Sequence, residues 1–232
     1  MGPDTPKSEW PYLVYAAGFE MFEPMRVIQG YARMLESERS GPLSEIQRKM
    51  IAEIVRYVLN ALAQVDRLQA LGRIEYEEAC DGASQRSTVA LGVILGEVVA
   101  EVTARRIEPS SLDLLPADGD DHVVGDPTLL KHALRGLIGL MRRVILQTNP
   151  EFSLAIKIFD RPDRSQRWVV IAESSEITKV LSVAPERLQP YNLPFGLHAD
   201  IAYARRVLAR YGGDVWSLPD GGVGAVVALP RV

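Results

Sequence analysis

The stretch that decides the fold is residues 41–75, which read GPLSEIQRKMIAEIVRYVLNALAQVDRLQALGRIE. Its apolar residues recur at steps of three, four or seven, as they do on one face of a long amphipathic helix. They are Leu43, Ile46, Met50, Ile54, Ala61, Val65 and Leu68. Ser44, with Gln47 three residues later, is a capping-box signal for the start of this helix.

A second amphipathic helix precedes this one and is predicted from about Leu13 to Glu38. Its apolar stripe consists of Leu13, Ala17, Met21, Ile28, Tyr31 and Leu35. Two such helices joined by a short turn predict an antiparallel hairpin. Because the stripe follows the whole second helix, we expect two hairpins to pair as a four-helix bundle in a homodimer. The alternative is that the hairpin packs on the rest of its own chain.

The remainder of the chain alternates between helices and strands. Helices are predicted at 91–107, 127–146 and 199–210, and strands at 112–115, 123–124, 152–159, 167–172, 215–218 and 223–229. This order predicts an α/β two-layer sandwich with an antiparallel-rich sheet. The predicted fold class is α+β, with a dimerising helical hairpin at 1–78, a polar linker at 79–88 and the sandwich at 89–232.

Composition excludes several classes of function. The net charge is −4, which does not suggest the basic face that nucleic-acid binding requires. The single cysteine excludes an internal disulfide framework and a multi-cysteine metal site. No apolar run approaches the roughly 20 residues needed to cross a bilayer, and the first ten residues lack the apolar stretch of a signal peptide. We therefore expect a soluble cytoplasmic protein without a membrane segment.

The order of the elements, together with five short strings, resembles the cytoplasmic core of a bacterial two-component sensor histidine kinase. The strings are GYA at 30–32, GPLS at 41–44, LGRIE at 71–75, VGDP at 124–127 and YGGDVW at 211–216. The resemblance covers nearly the whole chain. It implies a dimerisation-and-phosphotransfer hairpin followed by a histidine-kinase-like ATPase domain, acting in two-component signal transduction.

The residue that would accept phosphate is missing. The family phosphorylates a histidine at the start of a His-Glu-x-x-Thr/Asn-Pro segment, where the neutral imidazole is the nucleophile. Residues 19–24 read FEMFEP, so Phe19 stands in place of the histidine and Glu23 in place of Thr/Asn. Glu20 matches the family's acidic residue, although a solvated helix residue explains it equally well. All three histidines, His122, His132 and His198, lie in the second region.

The nucleotide-binding motifs of the family are also degenerate. Gly136 and Leu140 stand where the family has the asparagines that hold magnesium and phosphates, and neither is an oxygen ligand. The adenine-binding motif is replaced by ESSEI at 173–177, with Ser175 in place of glycine. The phosphate loop at 196–202 keeps only the glycine Gly196. His198 and Asp200 follow it, and Asp200 places a negative charge near where the phosphates would lie. We therefore expect no cofactor and no metal in this degenerate cleft.

The resulting interpretation is a pseudo-histidine kinase, a non-catalytic dimeric module. We expect it to bind a response-regulator receiver domain or a partner histidine kinase through the surface around the lost histidine. The residues proposed for this surface are Phe19, Glu20, Phe22, Glu23, Met25 and Arg26. An exposed Phe19 and Phe22 would form an apolar patch suited to a partner. The alternative is that both side chains lie inside the bundle.

Two other interpretations stay open. A nucleotide-using enzyme with a remodelled pocket would rely on Glu173, Glu176, His198 and Asp200. A small-molecule sensor would reuse the old cleft, with Leu137, Leu140 and Met141 as its apolar lining, although these residues serve equally well as core. Arg142 and Arg143 are expected on a solvated helix face, and the alternative is that they meet an acidic surface of a partner.

Overall fold

A computed structural model describes residues 10–37, 41–79, 86–104, 111–148, 153–161, 165–184, 187–190, 199–218 and 224–232. The chain divides into two compact units, Met1–Ala83 and Ser84–Val232. No helix among the described residues combines the length and the apolar composition needed to span a bilayer.

The first unit is a hairpin of two long helices, α1 (Trp10–Glu36) and α2 (Glu45–Ala79). The capping box at the start of α2 is confirmed. The Ser44 N–H donates to Oε1 of Gln47 at 2.8 Å, and the Gln47 N–H donates to Oγ of Ser44 at 3.3 Å. Both predicted helices are therefore present, and α2 begins where its sequence signal places the start.

Two glycines bring the helices of the hairpin close together. A Cβ atom added to Gly72 would lie 2.7 Å from the backbone nitrogen of Tyr15, and one added to Gly18 would lie 2.6 Å from Cγ of Gln69. Such distances are shorter than real Cβ contacts. At Gly72 the two backbones can therefore approach only because this position carries no side chain, and at Gly18 the missing side chain leaves room for that of Gln69.

The predicted apolar stripes lie mostly on the surface of the hairpin and not between its helices. Their exposed members are Ala17 and the larger residues Leu13, Met21, Ile28, Tyr31, Leu35, Ile46, Met50, Ile54 and Leu68, and Tyr57 is exposed beside them. Each helix has a row of buried residues, and exposed stripe residues lie three positions after them, as Leu35 lies after Ala32 on α1 and Ile54 after Ile51 on α2. A step of three positions turns the side chain to one side of the buried row. Because the two helices are antiparallel, the same turn on both helices brings the exposed residues to the same side of the hairpin. The exposed stripes therefore form one surface, here named the apolar face.

The second unit contains four helices, and its strands form two sheets. The helices are α3 (Leu91–Ala104), α4 (Pro127–Thr148), α5 (Ile177–Leu181) and α6 (Ala199–Ala209). The strands are β1 (Ser87–Ala90), β2 (Ser111–Leu114), β3 (His122–Gly125), β4 (Ser153–Arg161), β5 (Gln166–Glu173), β6 (Gln189–Pro190), β7 (Asp214–Ser217) and β8 (Gly224–Pro230). The larger sheet has the order β2-β4-β5-β8-β7-β6, in which only the β2–β4 pair is parallel. Strands β1 and β3 form a separate antiparallel pair. The mixed α+β class is as predicted.

Three short elements were not predicted: β1, α5 and β6. The predicted linker 79–88 overlaps regular structure at both ends, because Ala79 belongs to α2 and Ser87 and Thr88 belong to β1. Strand β1 is too short and too polar to show an alternating pattern, so the sequence does not predict it. It is a strand because it pairs with β3. Residues 80–85 of the linker lie outside the described residues.

Both faces of the larger sheet are covered. Helix α3 lies on one face, where a Cβ on Gly92 would come 3.9 Å from Cδ1 of Ile158. On the other face Trp168 and Val170 of β5 pack in one cluster with Ile177 and Val180 of α5. This agrees with the continuous apolar run of β5, which is typical of a strand buried on both sides.

Candidate functional site

The surface around Phe19 is partly apolar and partly charged. Phe19 is 67% exposed, and Glu20, Glu23 and Arg26 are exposed beside it. Phe22 is half-buried, and the guanidinium carbon of Arg26 lies 5.5 Å from the centroid of its ring. This distance is within the range of a cation–π contact. Met25 is also half-buried. These six residues are here named the Phe19 patch.

The Phe19 patch and the apolar face lie on opposite flanks of α1. Phe19 follows the buried Gly18 by one position, whereas Met21 follows it by three. On a helix of about 3.6 residues per turn these steps lead to opposite sides of the buried line. A partner that covers the apolar face therefore leaves Phe19 accessible.

Helices α4 and α6 meet at a buried carboxylate. Asp200, the second residue of α6, is 3% exposed. A Cβ atom on Gly136 of α4 would lie 2.7 Å from Oδ1 of Asp200. The Arg143 guanidinium donates through Nη2 to Oδ2 of Asp200 at 2.9 Å. The side chain of Asp200 thus fills the space beside Gly136, and Arg143, expected to be merely solvated, is its cationic partner.

The other residues of the predicted cleft have different surroundings. Leu140 is buried, as are its neighbours Leu137 and Met141, which favours the interpretation as core over that of an apolar ligand pocket. Ser175 is exposed in the turn between β5 and α5. Gly196 and His198 lie outside the described residues.

Two of the three carboxylates suggested for a remodelled enzyme have separate cationic partners. Oε1 of Glu176 accepts a hydrogen bond from Nζ of Lys179 at 2.7 Å at the start of α5. Asp200 is paired with Arg143 instead. Glu173 ends β5 opposite Leu154 of β4. These contacts give no support to a shared acid–base site.

Magnesium and ATP, which the family resemblance implies, do not fit this donor set. Neither Gly136 nor Leu140 has a side-chain oxygen for a magnesium ion. The carboxylate of Asp200 already occupies the space beside Gly136, and its negative charge opposes that of a phosphate group. No step of chemistry through a bound nucleotide follows from these residues.

One polar cluster was missed by the sequence analysis. Nδ1 of His122 lies 2.6 Å from Oδ1 of Asp120, and this hydrogen bond raises the pKa of His122 and lowers that of Asp120. Oδ2 of Asp121 accepts the Gly92 N–H at the start of α3 at 2.7 Å. The buried Arg167 places Nη2 3.6 Å from Oδ2 of Asp120. The carboxylates therefore serve as partners of the α3 terminus and of Arg167, and the only sequence signal was the turn-rich string before His122.

A groove of about 640 Å³ lies in the second unit and was also missed. It is lined by β1, α3 and the first half of α4, with the exposed Val93 on one wall. On the other wall Nζ of Lys131 lies 2.7 Å from Oε2 of Glu97 and 2.7 Å from Oε1 of Glu101. These bonds raise the pKa of Lys131, and the Lys131 ammonium lowers the pKa of Glu101. The local charges thus largely neutralise one another.

Comparisons with known proteins identify the fold. No protein-family model matches the sequence, and no curated protein matches it. Full-length ShkA in complex with AMPPNP is similar at a TM-score of 0.57 and 17% identity, over 94% of this chain and 45% of that chain. The histidine kinase AdeS of Acinetobacter baumannii is similar at a TM-score of 0.52 and 11% identity, over 91% of this chain and 97% of that chain. This chain spans less than half the length of ShkA, and it has a histidine-kinase-like fold.

Proposed function

We propose that the chain is a non-catalytic, histidine-kinase-like signalling module that dimerises through its hairpin. It acts by binding a response-regulator receiver domain or a partner histidine kinase. The observation that carries the proposal is the exposed Phe19 at the position where the family has its phosphorylated histidine. A benzyl side chain has no lone pair with which to attack a phosphate.

The apolar face supports the homodimer. Nine large apolar side chains of the two stripes are exposed on one side of the hairpin, which is more than isolated surface residues account for. Each Å² of apolar area removed from water contributes about 25 cal/mol, so two such faces gain by covering each other. A twofold axis makes the same face serve both copies, and the result is a four-helix bundle.

The Phe19 patch supports a second, heterologous contact. It combines an aromatic side chain, an arginine stacked on a half-buried ring, and two carboxylates at its rim. Aromatic residues and arginine contribute most to binding at protein interfaces, and a polar rim sets orientation. Because the patch lies on the opposite flank of α1 from the apolar face, the dimer and the partner do not compete for one surface.

The absence of phosphoryl transfer is supported at both ends of the reaction. Phe19 offers no acceptor, and the space beside Gly136 contains the carboxylate of Asp200. Loss of the acceptor alone would leave a chain that could phosphorylate a partner. Loss of the magnesium ligands as well removes that route.

The test is an equilibrium titration of the full chain with receiver domains and histidine kinases of its own organism. Truncation of Phe19 to alanine should weaken the complex about 10- to 100-fold, the range of interface anchors. Met34→Ala is the matched control, since Met34 is an exposed apolar residue of α1 outside the Phe19 patch. Equal affinities of wild type and Phe19→Ala for every partner that binds would refute the assigned docking surface.

A further inference from the structure

The carboxylate between α4 and α6 has a chemical explanation of its own. We infer that Asp200 is a built-in anion that occupies an anion-binding subsite formed by Arg143 and the first turn of α6. The lack of a side chain at Gly136 is what admits it. This inference rests on the proposed function, in which the chain does not use ATP, and it names what fills the place of a phosphate group.

Two features of the subsite favour negative charge. The N-terminal turn of α6, an eleven-residue helix, carries partial positive charge from its backbone N–H groups. The Arg143 guanidinium lies 2.9 Å from Asp200 and keeps 54% of its side chain exposed. A carboxylate that is 3% exposed is tolerated because it has this cationic partner.

Gly136 and Asp200 depend on each other. A glycine inside a helix is normally less favourable than an alanine. At Gly136 an alanine would meet a steric obstacle, because its Cβ would come 2.7 Å from Oδ1 of Asp200. Gly139, three residues later in the same helix, has no such neighbour within 4 Å.

The ligand class of this subsite is a small oxyanion. Asp200 occupies the subsite in preference to a free anion because it is part of the chain, so its effective concentration there is far higher. Removal of this carboxylate should leave Arg143 and the α6 terminus ready for an external oxyanion, for which inorganic phosphate is the probe.

The first experiment measures thermal unfolding of the full chain. Gly136→Ala should lower Tm in the wild type but raise it in the Asp200→Ala background, where the clash is gone. Gly139→Ala should raise Tm in both. Asp200→Asn keeps the side-chain size and removes the charge, so Gly136→Ala should still lower Tm there. A shift of the same sign in the wild-type and Asp200→Ala backgrounds would overturn the steric part of the inference.

The second experiment adds inorganic phosphate, with sodium chloride of equal ionic strength as the salt control. At about five times its dissociation constant, phosphate should raise the Tm of Asp200→Ala by about 2–4 °C relative to wild type. The double variant Arg143→Gln/Asp200→Ala should lose this rise. An Asp200→Ala protein that responds no more than wild type disproves the anion subsite and leaves the proposed function intact. Binding of Mg·ATP by the wild type would instead contradict the proposed function.

Discussion

In the proposed function, the hairpin and the α4–α6 contact each lack a group that the family uses, and they differ in what takes its place. At the hairpin, the place of the reactive histidine holds an aromatic side chain that is exposed to solvent. Between α4 and α6, the place of a magnesium ligand holds a glycine, and a buried carboxylate fills the space. The hairpin thus presents an exposed surface to a partner, while the carboxylate of Asp200 fills the space between α4 and α6. In the proposed function, the first region therefore provides contact with a partner and the second provides packing within the chain.

The largest expected effect concerns the apolar face of the hairpin. Ile54→Asp places a carboxylate on this face in both copies of the dimer, and burial of an unpaired charge costs about 3–5 kcal/mol. The dimer dissociation constant should therefore rise at least about 100-fold. Sedimentation equilibrium measures this directly.

The control for this prediction is Met34→Asp. Met34 follows the buried Ala32 by two positions, so it lies on the far side of α1 from α2. The Met34→Asp substitution therefore adds the same charge outside the apolar face and should leave the dimer intact. A wild-type chain that sediments as a monomer at all concentrations would contradict a dimer formed through this face.

The next effect tests how closely the two helices of the hairpin approach. Gly72→Ala should destabilise the chain by about 1–3 kcal/mol, because its Cβ would come 2.7 Å from the Tyr15 backbone nitrogen. Gly30→Ala, also within a helix of the hairpin, meets nothing within 4 Å and should stabilise by up to about 1 kcal/mol. Urea unfolding of both variants gives the comparison. Equal effects of the two substitutions would contradict the packing of α1 on α2.

The smallest effect belongs to the second unit and depends on pH. The hydrogen bond from Asp120 raises the pKa of His122 above its ordinary value of about 6.5. The raised pKa means that the folded chain favours the protonated imidazole. The resulting stabilisation is complete below the ordinary pKa and is lost as pH rises through the raised value.

NMR titration of the imidazole protons measures the pKa of His122. Asp120→Asn should return it toward the ordinary value, while Asp113→Asn, also an exposed aspartate of this unit, should leave it unchanged. Because the pair is exposed, the effect on unfolding should be slight. A pKa of His122 that does not respond to Asp120→Asn would contradict the hydrogen bond.

Elements with local signals were predictable from the sequence. The helix start at α4 is one example, since Oδ1 of Asp126 accepts the N–H groups of Thr128 and Leu129 at 2.8 and 3.0 Å. The end of α6 is another, because Gly212 adopts a φ of 77°, where a glycine is favoured. Both signals lie within a few residues of the structure that they determine.

Features that depend on distant residues were not predictable. Arg143 and Asp200 are 57 residues apart, so their ion pair follows from the packing of α4 on α6 and from no local pattern. The same holds for β1, which becomes a strand through its pairing with β3. In simple hairpin packing the apolar stripes would lie between the two helices, but here they are exposed. Periodicity identifies an apolar face but not what covers it.

The central claim is that the chain acts by contact and not by phosphoryl transfer. The most direct measurement is calorimetric titration of the full chain with Mg·ATP, followed by incubation with ATP labelled at the γ-phosphate and recovery of the protein. The account predicts no heat of binding at millimolar ATP and no label on this chain or on a receiver domain mixed with it. Saturable binding of the nucleotide, or label retained on either protein, would contradict it.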